Sequence, residues 1–171
     1  SGELKDRLKK QMVEATAGGV KPNPDYPYRG DFADEYRTRQ VECAVALYSK
    51  MGIGRGDKEG RMRAVLRNFE FFDAPHIAFL GMHPDFGTTV ALDVGMFAQS
   101  LMLSMVAFGL HSCPMGTMRN YPDMVREAFE IEDGTQILFG ISFGYEDLSV
   151  AANETRTTRD DISANIMFRS D

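Results

Sequence analysis

Gly140-Ile141-Ser142-Phe143-Gly144 has the G-x-S-x-G spacing of a serine nucleophile. That pattern works when a strand, a sharp turn and a helix expose the serine hydroxyl. Here it lies inside an apolar run, Gln136 to Tyr145, and leads into a polar tail with no helical pattern. A hydrolase reading therefore fails on context. The run Gly52-Ile53-Gly54-Arg55-Gly56-Asp57-Lys58-Glu59-Gly60 suggests a phosphate-cradling loop. It follows a helical pattern rather than a strand, and it has neither G-x-G-x-x-G nor G-x-x-x-x-G-K-[ST] spacing. It reads as a connector. His76, His83 and His111 show no ligand spacing to one another or to Cys43 and Cys113, so no metal site is expected. No paired acid and base stands out, and no side chain is assigned as catalytic. Such a blank points to a bound cofactor that carries the chemistry while the protein binds and orients it.

The element that must do the positioning runs from Thr88 to Gly116. Val90, Leu92, Val94, Met96, Phe97, Leu101, Met102, Leu103, Met105, Val106 and Phe108 leave no broad polar face. A helix apolar all round is buried in a core or in a membrane. Asp93 and Gln99 lie inside it, no second span exists, and an acidic side chain in hydrocarbon costs about 3 kcal/mol. The expectation is a buried helix of a soluble protein, not a membrane span. Gly109 ends it, and a tight loop turns at Pro114 into Met115-Gly116. Met96, Met102, Met105, Met115 and Met118, five of the eleven methionines, sit in or after this helix. They read as adaptable core packing or as the lining of a pocket for planar ligands.

The other elements follow in order. Leu4, Leu8, Met12 and Val13 recur at helical spacing after Ser1, and Gly18-Gly19 ends that helix. Residues 21–30 carry three prolines and form a surface loop. A second helix covers about Phe32 to Lys50, and a third covers 61–75, ended by Pro75. Within it, Phe69, Phe71 and Phe72 pack into core or form an aromatic lid. His76 to Met82 is a buried strand bounded by Pro75 and Pro84. Leu110 to Cys113 is a short strand, and Pro122 opens a helix to Phe129. Gln136 to Tyr145 is the second clear strand. The tail, 146–171, is polar and carries Arg156, Arg159 and Arg169.

The 171 residues suit one domain, and the net charge of −6 argues against nucleic acid as a partner. Two cysteines without metal spacing read as reduced thiols, so the cytoplasm is expected.

Four patterns, in order, resemble the FMN-dependent nitroreductase family: Arg67-Asn68-Phe69 through Phe72-Asp73-Ala74-Pro75; Leu92-Asp93-Val94-Gly95-Met96-Phe97 with Gln99-Ser100-Leu101-Met102-Leu103 and Gly109-Leu110; Cys113-Pro114-Met115-Gly116 followed by Tyr121-Pro122; and Phe143-Gly144-Tyr145 with Asn153 and Arg156-Thr157-Thr158-Arg159. The resemblance covers nearly the whole chain. It implies an α+β fold, a mainly antiparallel sheet flanked by helices around a long buried central helix, and an intertwined homodimer. It implies FMN as cofactor and NAD(P)H as co-substrate. Hydride passes to flavin N5 and on to nitroaromatic or quinone-like small-molecule acceptors in a ping-pong mechanism. By position, Pro114, Met115 and Gly116 border the flavin, with the backbone of Met115 and Gly116 near N5 and O4. Arg156 binds the FMN phosphate, Arg159 is a weaker candidate, and Phe69 and Phe71 line the substrate side. Gly116 allows close approach to a flat ring, and an arginine fork suits phosphate.

The family's arginine-rich R-R-S-x-R segment and its N-x-Q-P-W-type segment do not occur in this sequence. The expectation is a single nitroreductase-like domain over 1–171, truncated at its N-terminus and weakened in FMN binding. The rival reading is a non-catalytic dimeric module, a flavin-free remnant of the fold.

Overall fold

The structure is a computed structural model that describes residues 1–27, 30, 32–131 and 134–169. Its elements are helices α1 (Gly2–Ala17), α2 (Asp34–Lys50), α3 (Lys58–Phe69), α4 (Thr88–Ala107) and α5 (Pro122–Ala128), with strands β1 (His76–Met82), β2 (His111–Met115) and β3 (Gln136–Gly144). Two compact units form: Ser1–Gly30 with Lys58–Glu146, and Asp31–Asp57 with Asp147–Asp171.

In the larger unit the three strands make one antiparallel sheet in the order β1-β3-β2. β3 is central, which is why its run is nearly continuously apolar. A register shift at Leu80/Gly81 changes which side chains share a face. Ile137 and Ile141 lie four apart, yet they join different core clusters, as a bulge requires. One face carries Ile77, Met115 and Ile137 against Leu8 and Met12 of α1, Phe69 of α3 and Val125 of α5. The other carries Leu80 and Ile141 against Ala98 of α4, with Val94, Leu101 and Met102 around them. The serine of the G-x-S-x-G run, Ser142, is 3% exposed. It pairs with Ile77 on one side and Cys113 on the other. It is ladder, not nucleophile.

Several boundaries moved for local reasons. α3 starts at Lys58, inside the glycine-rich connector, because Gly60 is buried in its first turn. The third helix stops at Phe69 rather than 75. Phe71, Phe72 and Asp73 then take φ of 56°, 52° and 57°, a left-handed 3-10 turn that costs roughly 1–2 kcal/mol per residue. Tertiary contacts hold it. Asp73 accepts from Lys9 Nζ at 3.0 Å and from Arg67 Nη1 at 2.6 Å, and Lys5 Nζ donates to the Ala74 carbonyl at 3.1 Å. The Lys9 and Arg67 hydrogen bonds hold the Asp73 carboxyl below its usual range.

Residues 20–27 of the proline loop are pinned to the larger unit, while Tyr28 and Arg29 lie outside the described residues. Asn23 N donates to the Asn120 carbonyl at 3.0 Å, and Asn23 Nδ2 donates to Asp123 at 2.7 Å. Asp25 Oδ2 accepts from Arg126 Nη1 at 2.8 Å and from Ile137 N at 2.7 Å. The Asp25 side chain is 12% exposed and that of Arg126 is 21% exposed. Removing the carboxylate leaves the Ile137 N–H at the start of β3 without its acceptor and Arg126 with Asp123 as its one remaining carboxylate among the described residues. Asp25→Ala should therefore cost about 3 kcal/mol of stability, within the range for breaking a mostly buried pair. Urea unfolding of parent and variant checks this; a midpoint equal to the parent's would show that the loop is not a strap.

α4 ends where expected, with Gly109 at φ 73°. In the single chain its burial is confined to one stripe. Of its residues only Ala98 and Met105 are buried, while Leu92, Met96, Phe97, Leu103 and Val106 are 61–65% exposed. The sheet is one layer wide and covers one stripe of the helix. By length and hydropathy the helix also meets the requirement of a membrane span. Ser100 Oγ and Ser104 Oγ donate to carbonyls four residues back, both at 2.9 Å. Their hydroxyls are satisfied within the helix.

In the smaller unit α2 has no buried residue. Lys50 Nζ reaches Glu154 at 2.8 Å and Arg39 Nη2 reaches Asp160 at 2.7 Å. The tail forms short 3-10 turns at Ala151–Glu154 and Ile162–Ala164.

Candidate functional site

Pro114 and Met115 belong to β2, so the turn comes two residues later than Pro114, where the sequence suggests it, at Gly116. β2 is an edge strand, where a proline costs no central ladder bond. Pairing of Pro114 with Ile141 and of Met115 with Gly140 fixes the strand end. The Met115 side chain is buried at 2%, so only its backbone is available to a ligand. Gly116 then opens a 3-10 turn to Asn120. Met118, inside that turn, is fully buried. A Cβ on Gly140 would lie 2.8 Å from Met118 Cγ, so Gly140 is what lets the turn seat on the sheet. Thr117 Oγ1 adds a 3.4 Å bond to Asn68 Oδ1.

Gly116 differs from Gly140. A Cβ built on it meets nothing within 4 Å, and its φ is not in the left-handed region. Nothing in this chain requires glycine there. The bare backbone faces open space, which fits the close approach of a flat ring.

Phe69 and Phe71 do not fit the substrate side. They are 2% and 0% exposed and sit in the core with Leu8, Met12, Met115 and Met118. The left-handed turn drives Phe71 inward and leaves Phe72 as the partly exposed ring. Phe69 meets Tyr121 at a centroid distance of 5.7 Å. These rings support the Met115–Met118 segment from beneath.

Arg156 and Arg159 lie in the smaller unit. With Arg39, Cys43 and Asp160 they line a cleft of about 790 Å³ between α2 and the tail. Arg156 Nη1 donates to the Asn153 and Thr155 carbonyls at 2.5 and 3.0 Å. Arg159 Nη1 donates to Thr157 Oγ1 at 2.8 Å and to the Thr158 carbonyl at 2.9 Å. Among the described residues both guanidinium groups bond only to neutral oxygens of their own segment, which leaves their charge for an anion. The Thr155 hydroxyl is buried and finds no hydrogen-bond partner among the described residues. The donor set fits a phosphate. The sequence reading missed Arg39. Its four-residue spacing from Glu35 reads as a solvated helix pair, and only the folded tail reveals the cleft.

Among the described residues no cluster of His, Cys, Asp or Glu could hold a metal, and both cysteines are free thiols.

The family model described as Nitroreductase family matches residues 3–145. The chain belongs to the nitroreductase family. Nitroreductase NfnB of Mycolicibacterium smegmatis is 35% identical over 169 residues, which covers 98% of this chain and 71% of that protein. The 4-nitrobenzoate reductase of Pseudomonas putida is 31% identical over 130 residues, covering 76% of this chain and 57% of that enzyme. A crystal structure of the FMN-dependent nitroreductase NfnB from Mycobacterium smegmatis in complex with NADPH superposes with a TM-score of 0.93 at 34% identity. It covers 99% of this chain and 76% of that one. The nitroreductase fold is thus present, α+β with an antiparallel sheet and α4 along one face.

Proposed function

We propose that this nitroreductase-family chain works with FMN, draws reducing equivalents from NAD(P)H and passes them to nitroaromatic or quinone-like acceptors in a ping-pong cycle, as a homodimer. The observation that carries the reading is Gly116, a glycine that its own chain does not need, held at the end of a strand with its backbone open. FMN, when bound, supplies the hydride relay between donor and acceptor. The protein's part is to bind and orient. The β2–β3 pairing holds Pro114, Met115 and Gly116 rigidly, so their backbone can lie along the ring edge. Arg156 holds the phosphate, with Arg159 as a second fork. Phe69 and Phe71 act from the core, by fixing the segment that carries Gly116. The exposed stripe of α4 is covered by the twin subunit.

Titration of the purified chain with FMN, read in the flavin absorbance band, tests the reading; NAD(P)H oxidation with 4-nitrobenzoate as acceptor follows. Protein that takes up no flavin would remove the enzyme reading. Arg156→Ala should weaken FMN binding by roughly 10–100-fold, the loss of one or two charge-assisted bonds. Arg169→Ala, at an exposed tail position, should leave it unchanged. Equal effects would count against the phosphate assignment.

A further inference from the structure

We propose that Arg39 is a third anion-binding residue of the α2–tail cleft, held off by Asp160 until a phosphate monoester displaces that carboxylate. The proposal rests on reading the cleft as the flavin-phosphate site, and it is testable without flavin.

The charges of the cleft carry the argument. Its lining holds Arg39, Arg156 and Arg159 against Glu35, Glu42 and Asp160, so it is formally neutral. A neutral cleft offers an anion little long-range attraction. The pairing is uneven, however. Arg156 and Arg159 touch no carboxylate in the hydrogen bonds they make. Arg39 bonds Asp160 at 2.7 Å and stands 3.7 Å from Glu35. Its guanidinium also lies 5.9 Å from the Tyr36 ring centroid, which steadies it along the helix. Asp160 joins the same lining as the two free forks, one residue beyond Arg159. An anion bridging Arg156 and Arg159 therefore arrives beside the Arg39–Asp160 pair.

Exchange is cheap there. The Asp160 side chain is 43% exposed and that of Arg39 is 50% exposed, so the released carboxylate is rehydrated at once and an exposed pair contributes little to folding. The exchange also selects. A dianionic phosphate monoester has oxygens enough for three forks and outcompetes one carboxylate. A monoanionic arene carboxylate does not. Asp160 thus acts as an internal competitor that admits phosphate esters and turns away carboxylated aromatics.

The test is calorimetric titration of the full chain with inorganic phosphate, and with benzoate as the monoanion. Asp160→Asn should tighten phosphate by roughly 5–10-fold and raise benzoate binding at least as much, since the competitor is gone. Arg39→Gln should weaken phosphate by about 10-fold, and Asp160→Asn should give no gain in that background. Arg37→Gln, which alters an exposed arginine of α2 outside the cleft lining, should change nothing; a loss equal to that of Arg39→Gln would reduce the effect to general charge and overturn the proposal. Unchanged or weaker phosphate binding in Asp160→Asn also overturns it. Failure of the flavin reading looks different. FMN affinity would then ignore Arg156→Ala, while inorganic phosphate would still respond to Asp160→Asn.

Discussion

Leu103→Glu should turn the proposed homodimer into a monomer. Leu92, Met96 and Leu103 fall at i, i+4 and i+11 on α4, one stripe of the helix, and each is more than 60% exposed in the single chain. Burying such a side chain against a twin surface contributes about 1.5–3 kcal/mol. A two-fold interface uses the same patch twice, so one substitution acts at two places. Each glutamate would have to enter an apolar seam without a partner, at a cost of several kcal/mol. The dimer dissociation constant should rise by roughly 1,000-fold or more, about 4 kcal/mol. Sedimentation over a concentration series reads it directly. Met62→Glu is the control, at a comparably exposed methionine on α3, and should leave the assembly intact. A Leu103→Glu protein that sediments like the parent would mean that α4 is covered by something other than its twin.

Gly116→Val should lose FMN while the fold holds. In this chain a Cβ at position 116 meets nothing within 4 Å, and the backbone is not left-handed. The added Cβ therefore introduces neither collision nor strain, and the loss of glycine's unfolded-state freedom adds a few tenths of a kcal/mol. The melting temperature should stay within about 2 °C of the parent or rise slightly. A flat ring resting on that backbone meets the new methyl groups, however. An affinity loss of roughly 30-fold or more is expected, about 2 kcal/mol. Gly140→Ala should behave in the opposite way. Its Cβ would sit 2.8 Å from Met118 Cγ and 3.4 Å from the Ala78 carbonyl, so the fold loosens first. Flavin fluorescence quenching and thermal melts on both variants separate the two glycines. Full FMN affinity in Gly116→Val would take the ring away from this turn.

The strands were legible because prolines frame them. Pro75 and Pro84 bracket β1, Pro122 sits at N1 of α5, and Gly109 stops α4; these are backbone constraints that act locally. What was not legible depended on distant contacts. The left-handed turn at Phe71–Asp73 looked like more helix, since its phenylalanines have helical spacing. Only Lys9 and Arg67 gripping Asp73, and a core ready for Phe71, invert it. The end of β2 moved past Pro114 because β3 supplies the pairing for Met115. Uniform hydrophobicity says that α4 must be covered, not by which chain, and in the single chain one stripe of it is covered. Of the candidate site, a turn within Pro114–Gly116 was legible from glycine and proline, and it falls at Gly116. Arg39 was not, since it joins the site only through a tail more than a hundred residues away.

The strand order has a consequence for how the chain is made. Of the three described strands β3 comes last in the sequence, yet it lies between the other two, and β1 and β2 do not pair. No hairpin of neighbouring strands can form first. While residues 76–135 emerge, both edge strands wait, with α4 and its apolar surface already in solution between them. The sheet closes in one step, when Gln136–Gly144 arrives to bridge partners 25 to 67 residues away in register (Met115 to Gly140 at the nearest, His76 to Phe143 at the farthest). Long-range closure of this kind is slow. The sheet of these three strands can form only once Gln136–Gly144 has been made, and α4 must be shielded until then.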